Sequence, residues 1–254
     1  MRRVIALAAV VVGLAACGGG GSKPAAVAST ATTSSTTTTT TSSTTTTTTT
    51  PTTTTMTTVP PTTAPERAPY DFSIDTVTAE DLGASWHEGC PVAPSNLRIV
   101  TLTFAGFDGA DHSGQVVVNA SVATKVVEAF RQMYEARFPI RKMKPIFTQA
   151  EYDDFETPDD NSTGFSCRNA VNDSGSPSWS QHAYGDAIDV NPIENPYFEG
   201  DRVIPSSGAA YADRSDVRPG MATSNSDIVK AFRSIGWGWG ASFQDYQHFS
   251  TNGR

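Results

Sequence analysis

Residues 180–189 read SQHAYGDAID, and residues 245–249 read DYQHF. Together they contain two of the four histidines of the chain, His182 and His248, and the carboxylate of Asp189. Two imidazoles and one carboxylate can form a three-ligand zinc site with an open fourth position. His182 and Asp189 are too far apart in sequence for adjacent turns of one helix, so we expect a loop or turn that leads into a strand.

The neighbours of Asp189 are apolar. This residue lies in the stretch 187–190, where an unpaired carboxylate would be costly to bury and a bound cation would neutralise it. Gly185 and Ala187 are small enough to allow a close approach of the backbone. The alternative is that the histidine and the aspartate are ordinary hydrogen-bonded core residues, and the spacing of one pair does not exclude it.

The elements predicted around these stretches are short. We predict strands over 97–104, 115–118, 146–150, 187–190 and 246–249, with a turn at 106–109 and an acidic loop over 152–167. Strands and helices do not alternate as regular βαβ units. This order favours an α+β fold with a small antiparallel sheet and flanking helices.

Two helices are predicted from apolar spacing. The first begins after an N-cap at Asn119 or Ser121, runs to about residue 137 and is stopped by Pro139. Its apolar face would consist of Val122, Val126, Val127, Phe130 and Met133. The second covers 227–235, with Ser226 as its cap.

The N-terminus predicts export. Two arginines precede a short apolar stretch that ends in LAAC, so residues 1–16 are predicted to be a signal peptide. A cysteine directly after Leu-Ala-Ala, here Cys17, resembles the bacterial lipobox, in which that cysteine is lipidated. The alternative is an ordinary signal peptide that contains a cysteine.

A composition change separates the N-terminus from the folded part. Residues 17–66 are rich in Thr, Ser and Pro and have almost nothing to bury, so we predict a disordered tether. Residues 67–254 are long enough for one folded domain with its own core.

Charge excludes two classes of partner. The chain carries a formal net charge of −8, so it lacks the basic footprint of a nucleic-acid-binding protein and the polybasic patch that binds anionic lipid. We therefore expect a monomer without a nucleic-acid partner, attached to a membrane only through lipid at Cys17.

Two cysteines remain in the folded part, Cys90 and Cys167. An even pair in an exported protein predicts a disulfide. Two free thiols are the alternative, whereas a cysteine metal site is disfavoured because the chain contains no CxxC spacing.

The combined pattern, SxHxxGxAxD followed by DxxHF, resembles the D-alanyl-D-alanine carboxypeptidase family of zinc peptidases, which also contains peptidoglycan endopeptidases. The Asp-x-x-His ending resembles the endopeptidase-like subgroup of that family. The likeness extends over residues 89–249. It implies a fold of the Hedgehog/DD-peptidase-like kind.

The resemblance also implies roles for individual residues. It makes His182, Asp189 and His248 the ligands of Zn²⁺. It makes Asp245 the general base, where the better-known dipeptidases of the family use Glu. Arg168 would polarise the scissile carbonyl or bind a substrate carboxylate, with a surface arginine beside a disulfide as the alternative. Ser180 and Tyr184 would shape the substrate pocket.

The function implied is zinc-dependent hydrolysis of peptide bonds in peptidoglycan stem or cross-link peptides. The bond would be that of a D-alanyl-D-alanine carboxypeptidase or of an L-Ala–D-Glu-type endopeptidase. The enzyme would be an exported lipoprotein, anchored at the outer face of the bacterial cell membrane. The alternative is a non-catalytic wall-binding lipoprotein that keeps zinc for structure.

Other polar residues are expected outside the chemistry. We expect His112 to be structural or to line the cleft, and His87 to lie on the surface. The acidic run consists of Asp153, Asp154, Glu156, Asp159 and Asp160. Its spacing matches no EF-hand loop, so a solvated loop is favoured over a calcium site.

Overall fold

The computed structural model describes residues 69–148, 151, 159–170 and 178–254. The predicted signal peptide 1–16, the lipid site Cys17 and the tether 17–66 lie outside the described residues and stay predictions. Within the described ranges, no helix is both long enough and apolar enough to cross a bilayer.

The described chain consists of short strands and helices. The strands are β1 (Phe72–Thr76), β2 (Leu97–Gly106), β3 (Asp111–Asn119), β4 (Pro139–Ile140), β5 (Lys142–Met143), β6 (Asn161–Ser162), β7 (Ala187–Asp189), β8 (Tyr197–Glu199), β9 (Arg202–Ile204), β10 (Gly238–Trp239) and β11 (His248–Ser250). The α-helices are α1 (Ala79–Leu82), α2 (Ala123–Glu135), α3 (Gln181–Tyr184) and α4 (Asp227–Ser234). Short 3₁₀ segments lie at Gly83–Ser85, Pro94–Asn96, Ser206–Tyr211 and Gly240–Phe243.

β2 and β3 form a long antiparallel hairpin that starts with Leu97 opposite Asn119. The strands predicted over 97–104 and 115–118 are confirmed, but both are longer because the cross-strand ladder continues to the turn. β1 pairs antiparallel with β2, and β4 pairs in parallel with the end of β2. The α+β class with small antiparallel sheets is thus confirmed, whereas the Hedgehog/DD-peptidase-like likeness stays a prediction.

Helix α2 lies where the apolar spacing places it, and its predicted apolar face is buried. Neither proposed cap is correct, since the N-cap position is Val122 and no side chain caps the helix. The side-chain oxygen of Asn119 instead accepts hydrogen bonds from the backbone and the hydroxyl of Ser121. Asn119 therefore stabilises the turn before the helix rather than the helix itself.

Helix α2 ends at Glu135, so it is not Pro139 that terminates it, contrary to the prediction. Arg137 has a φ of 58°, and the N–H of Phe138 donates to the carbonyl of Met133 at 2.9 Å. This is the hydrogen bond of a Schellman motif, with arginine in the left-handed position that usually holds glycine.

Helix α4 confirms the second prediction with one correction. Ser226 holds the N-cap position, but its hydroxyl does not cap the helix. That oxygen accepts from the N–H of Thr223 and donates to the carbonyl of the same residue, so it closes a local turn.

The strand predicted over 146–150 is absent from its described part, 146–148, and residues 149–150 lie outside the described ranges. The carboxylate of Glu151 accepts the backbone N–H groups of Phe147 and Thr148, so these donors are satisfied without a partner strand. Neither strand of the β8–β9 hairpin was predicted from the sequence.

The second sheet carries the residues singled out above. Its order is β10–β11–β7, all antiparallel, with His248 directly opposite Asp189. The predictions over 187–190 and 246–249 are confirmed, but the last strand begins only at His248 because residues 246–247 form a bend.

Two apolar clusters form the core of the described residues. In the larger one, Phe232 of α4 stacks on Phe249 of β11 with ring centroids 4.4 Å apart and meets Phe130 of α2 edge-on. The smaller cluster contains Leu82, Leu97 and the Cys90–Cys167 disulfide, which forms as the even cysteine pair predicts.

Candidate metal centre

Three side chains that are distant in sequence converge on one point. The Nε2 atom of His182 lies 3.1 Å from a carboxylate oxygen of Asp189 and 3.1 Å from Nδ1 of His248, which is itself 3.1 Å from Asp189. Ligand atoms at about 2.0–2.1 Å from a tetrahedral zinc lie roughly 3.3 Å apart. The three residues could therefore hold one metal ion, with a single oxygen of Asp189 as its carboxylate ligand.

His182 is oriented by its backbone surroundings. It lies in the single turn α3, where the hydroxyl of Ser180 accepts its N–H and Gly185 ends the turn in the left-handed conformation. Its Nδ1 is 2.7 Å from the carbonyl oxygen of Gly164 and must donate a proton there. The Nε2 lone pair is thereby directed at the centre.

The other two ligands are placed by strand pairing. Asp189 ends β7, and His248 begins β11 in direct register with it. The Nε2 of His248 is 3.0 Å from the carbonyl oxygen of Arg254 and donates to it, which leaves Nδ1 for a metal. Both histidines thus have the second hydrogen bond typical of metal ligands.

The charges of the ligands suit a cation. Burial opposes ionisation of Asp189, but the charge and hydrogen bonds of His182 and His248 hold the pKa of this carboxyl well below its usual value. Burial lowers the pKa of His182. Burial acts in the same direction on His248, yet the hydrogen bond and charge of Asp189, the charge of Asp245 and the hydrogen bond to Arg254 together outweigh it and raise the pKa. The centre thus contains an ionised carboxylate, and metal binding at His248 would release the proton that this carboxylate favours there.

Asp245 enters the same cavity from a turn. The 3₁₀ segment before it ends at Gln244 in the left-handed conformation, and the N–H of Asp245 donates to the carbonyl of Gly240. Its Oδ1 is buried and has no hydrogen-bond partner among the described residues. Burial, followed by the negative charge of Asp189, raises the pKa of Asp245 to about 7. A turn directly before Asp245 thus brings its side chain to the cavity.

Arg168 faces the same centre. It lines the cavity, and its positive charge lowers the pKa of both His182 and Asp245. The structure thus brings together all five residues assigned to metal binding and catalysis.

The cavity around the centre has a volume of about 640 Å³. Ser180 lines it, but Tyr184 is not among its lining residues and instead offers its carbonyl to the side chain of Asn119. Sequence reasoning missed several lining side chains, which come from loops and from the β8–β9 hairpin and carried no motif. They include Trp179, Tyr197, Glu199, Arg202, Phe243 and Gln247.

The remaining histidines lie outside this centre. His112 is exposed on β3, where its Nε2 pairs with the carboxylate of Asp108 at 3.0 Å and its ring stacks on Phe104. It is structural and does not line the cavity. His87 is exposed, as predicted, and although it lies near Cys90 and Cys167, the disulfide removes both thiolates as metal ligands.

The acidic run does not behave as one solvated loop. Asp153, Asp154 and Glu156 lie outside the described residues, and Asp159 is exposed and paired with Lys142. Asp160 contradicts the prediction because it is only 3% exposed.

Asp160 lies against a second buried acid that the sequence did not reveal. This is Glu194, which is 1% exposed, and both carboxylates face Arg141. Burial and the neighbouring Glu194 raise the pKa of Asp160 to about 8. Burial next to a second acid therefore favours the protonated form of Asp160 at neutral pH.

Comparison with known proteins adds one match. Residues 174–251 match the family model described as D-alanyl-D-alanine carboxypeptidase, which confirms the resemblance over this stretch. The match covers under half of the chain but contains His182, Asp189, Asp245 and His248. Arg168 precedes it, so the wider likeness from residue 89 stays a prediction. No curated protein and no solved structure matches the chain.

Proposed function

We propose that this protein hydrolyses peptide bonds in peptidoglycan stem or cross-link peptides and uses zinc to do so. One observation carries the proposal: the imidazole nitrogens of His182 and His248 lie 3.1 Å apart, and each lies 3.1 Å from one carboxylate oxygen of Asp189, beside the buried, unpartnered carboxyl oxygen of Asp245. The match of residues 174–251 to a carboxypeptidase family supports a peptidase.

His182, Asp189 and His248 would hold the zinc. When bound, zinc supplies a Lewis acid that acidifies water and polarises a carbonyl group. The protein holds the ligand atoms in place through the carbonyl oxygens of Gly164 and Arg254 and through the pairing of β7 with β11. This preorganisation means that little conformational entropy is lost when the metal binds.

Asp245 is the proton acceptor in this proposal. A carboxyl group with a pKa near 7 can accept a proton from water and return it to the leaving amine at neutral pH. Aspartate is one methylene shorter than the glutamate of related dipeptidases, so its backbone must approach the centre more closely. The left-handed turn at Gln244 places the backbone of Asp245 at the cavity wall.

Arg168 stabilises negative charge on the substrate. Its guanidinium adds positive charge to a cavity in which Asp189 and Asp245 supply negative charge. A fixed cation in a buried site stabilises an oxyanion that develops on the scissile carbonyl. Ser180 acts by holding the N–H of His182, and Tyr184 acts on the pocket only through helix α3.

The proposed substrate agrees with the proposed location. Peptidoglycan lies outside the cell membrane, where a lipid at Cys17 and the tether 17–66 would display the domain. We propose a monomeric, exported lipoprotein at the outer face of the membrane, with peptidoglycan peptides as its partner.

Digestion of purified muropeptides tests the function. The zinc-loaded protein is incubated with them, and the products are identified by mass spectrometry. Loss of a terminal D-Ala identifies a carboxypeptidase, whereas a new free amine on D-Glu or in a cross-bridge identifies an endopeptidase. Asp245→Asn is the matched inactive control.

Two results would contradict the proposal. One is the absence of any zinc-dependent cleavage. The other is equal cleavage by the wild type and by Asp245→Asn. Retention of the protein on insoluble peptidoglycan without cleavage would favour the wall-binding alternative.

A further inference from the structure

A short backbone segment, residues 163–168, passes directly behind the metal centre. Thr163 exchanges both backbone hydrogen bonds with Asp189, at 2.9 and 3.0 Å. The carbonyl oxygen of Gly164, one residue further, accepts the Nδ1 proton of His182. The 163–168 segment therefore contacts two of the three proposed ligands before it reaches the cavity.

The segment ends at Arg168. The N–H of Arg168 donates to the carbonyl of Ser166 at 2.9 Å, and its own carbonyl accepts the N–H of Ser180 at 3.1 Å. The guanidinium charge acts on His182 and Asp245. The position of this charge in the cavity depends on where the backbone at the end of the segment lies.

A covalent bond fixes the backbone immediately before Arg168. Cys167, which is 1% exposed, forms the disulfide to Cys90, and its N–H donates to the carbonyl of Ser85 at 2.9 Å. Cys90 lies in a loop that is closed by a hydrogen bond from the indole N–H of Trp86 to the carbonyl of Val92. The bond thus joins two ordered backbones.

The ligands are held by other contacts. His182 is oriented by Ser180 and Gly164, and the pairing of β7 with β11 places Asp189 opposite His248. Loss of the disulfide leaves these contacts in place, whereas Arg168 is the direct chain neighbour of Cys167. Because the pairing of Thr163 with Asp189 holds the start of the segment, we expect loss of the bond to displace Arg168 more than the metal ligands.

We propose that the Cys90–Cys167 disulfide positions Arg168 in the cleft. This inference rests on the proposed function, in which Arg168 stabilises charge on the substrate. The disulfide also ties together residues far apart in sequence and so stabilises the folded chain in general. The specific claim is that its effect on hydrolysis passes through Arg168.

Double-mutant kinetics separates positioning from general stability. The disulfide is removed by Cys90→Ala with Cys167→Ala, in the wild type and in an Arg168→Ala background. In the wild type we expect kcat to fall about 10- to 100-fold, as for a catalytic group displaced by roughly 1 Å, with unchanged zinc content. In the Arg168→Ala background, removal of the disulfide should cause no further fall.

A second readout does not depend on activity. In the oxidised protein the Nε–H of Arg168 should give a dispersed, slowly exchanging NMR signal. In the protein without the disulfide, this signal should move to the position of a solvated arginine. Arg214, whose guanidinium donates to carbonyls of Glu194 and Ala222, is the internal control and should not change. Cys90→Ala alone provides a second variant if the double variant does not fold.

Equal kcat with and without the disulfide, measured well below the unfolding temperature, would overturn the inference. A further fall of kcat in the Arg168→Ala background would do the same. A wild type that hydrolyses nothing refutes the proposed function instead, and the NMR signal of Arg168 then decides on positioning by itself.

Discussion

Asp189 and His248 face each other across an antiparallel strand pair, and Oδ1 of Asp189 lies 3.1 Å from Nδ1 of His248. The two residues are 59 positions apart in sequence. A register shift of one residue would turn one side chain to the opposite face of the sheet. The pairing of two three-residue strands therefore determines whether a metal centre exists.

Removal of a ligand should abolish zinc binding. We expect His182→Ala and His248→Ala to lose more zinc affinity than the roughly 10- to 100-fold cost of losing an orienting partner, because two ligands cannot complete the site. Elemental analysis and competition with a chelator measure this. His112→Ala is the matched control and should retain stoichiometric zinc, since that side chain pairs with Asp108 instead. Full zinc in either ligand variant would show that the assignment is wrong.

Asp245→Asn should retain zinc and lose hydrolysis. The amide has nearly the shape of the carboxylate but accepts no proton, so we expect the rate to fall about 10²- to 10⁴-fold. If Asp245 only oriented His248, zinc affinity would fall as well. Normal zinc content with normal turnover would exclude both roles.

The pH dependence follows from the same group. In the metal-free protein the pKa of Asp245 is raised to about 7, so its base form accumulates as the pH rises, and hydrolysis should increase along one acid limb. A bound cation would shift this limb to lower pH. The pH profile of the residual hydrolysis rate of Asp245→Asn should lack this limb.

Gly164→Ala should weaken both the fold and the centre. A Cβ atom at this position would lie 2.3 Å from the carbonyl oxygen of Val117, so the backbone must move. We expect a loss of about 1–3 kcal/mol in stability together with weaker zinc binding, because the Gly164 carbonyl orients His182.

Gly114→Ala is the comparison for this variant. Its Cβ would lie 2.7 Å from the carbonyl oxygen of Met143, away from the ligands. It should lower the melting temperature without weakening zinc binding. Equal zinc affinities for Gly164→Ala and the wild type would show that the carbonyl does not orient the ligand.

Asp160 should make the metal-free protein less stable at higher pH. Its pKa is raised to about 8 by burial and by Glu194, so folding takes up a proton, and this contribution is lost as the pH rises towards 8. One proton limits the slope to about 1.4 kcal/mol per pH unit. Denaturant unfolding between pH 5 and pH 8 measures it.

Asp160→Asn should flatten that slope, because the amide cannot ionise. Asp159→Asn is the control: the pKa of Asp159 is lowered by Lys142, so its contribution changes only at acidic pH. Identical slopes for Asp160→Asn and the wild type would refute the raised pKa of Asp160.

Cys17→Ser should release the protein from the membrane fraction. Lipid on this cysteine is the only anchor that we propose, and the tether has no apolar stretch to replace it. Fractionation of cells that express the two forms measures the difference. Unchanged partitioning of the variant would count against a lipoprotein.

Several features could be predicted from local sequence. Apolar alternation marked β2, a short apolar run marked β3, apolar spacing marked α2 and α4, and the motif spacing identified His182, Asp189, Asp245 and His248. In these cases the residues that form the local sequence pattern are also the ones that lie in the apolar core or converge on the metal centre. Periodicity and small-residue spacing reflect local geometry, which is why they were informative.

Other features depended on contacts between distant residues. The burial of Asp160 against Glu194, the orientation of His182 by Gly164 and the contribution of the β8–β9 hairpin to the cavity have no local pattern. A charged residue near a turn ordinarily predicts exposure, and only the N–H of Ile193 and the guanidinium of Arg141, both from other segments, compensate the burial of Asp160.

By itself, the sequence determined which side chains can bind a metal and which strands and helices can form, because side-chain chemistry and periodicity are local properties. Only the tertiary structure decided that Asp189 and His248 stand in register, that carbonyl oxygens of Gly164 and Arg254 turn the two imidazoles, and that Arg168 lines the same cavity as the metal ligands. These relationships join residues far apart in the chain. They exist only once the buried apolar faces of the sheets and helices have fixed the segments against one another.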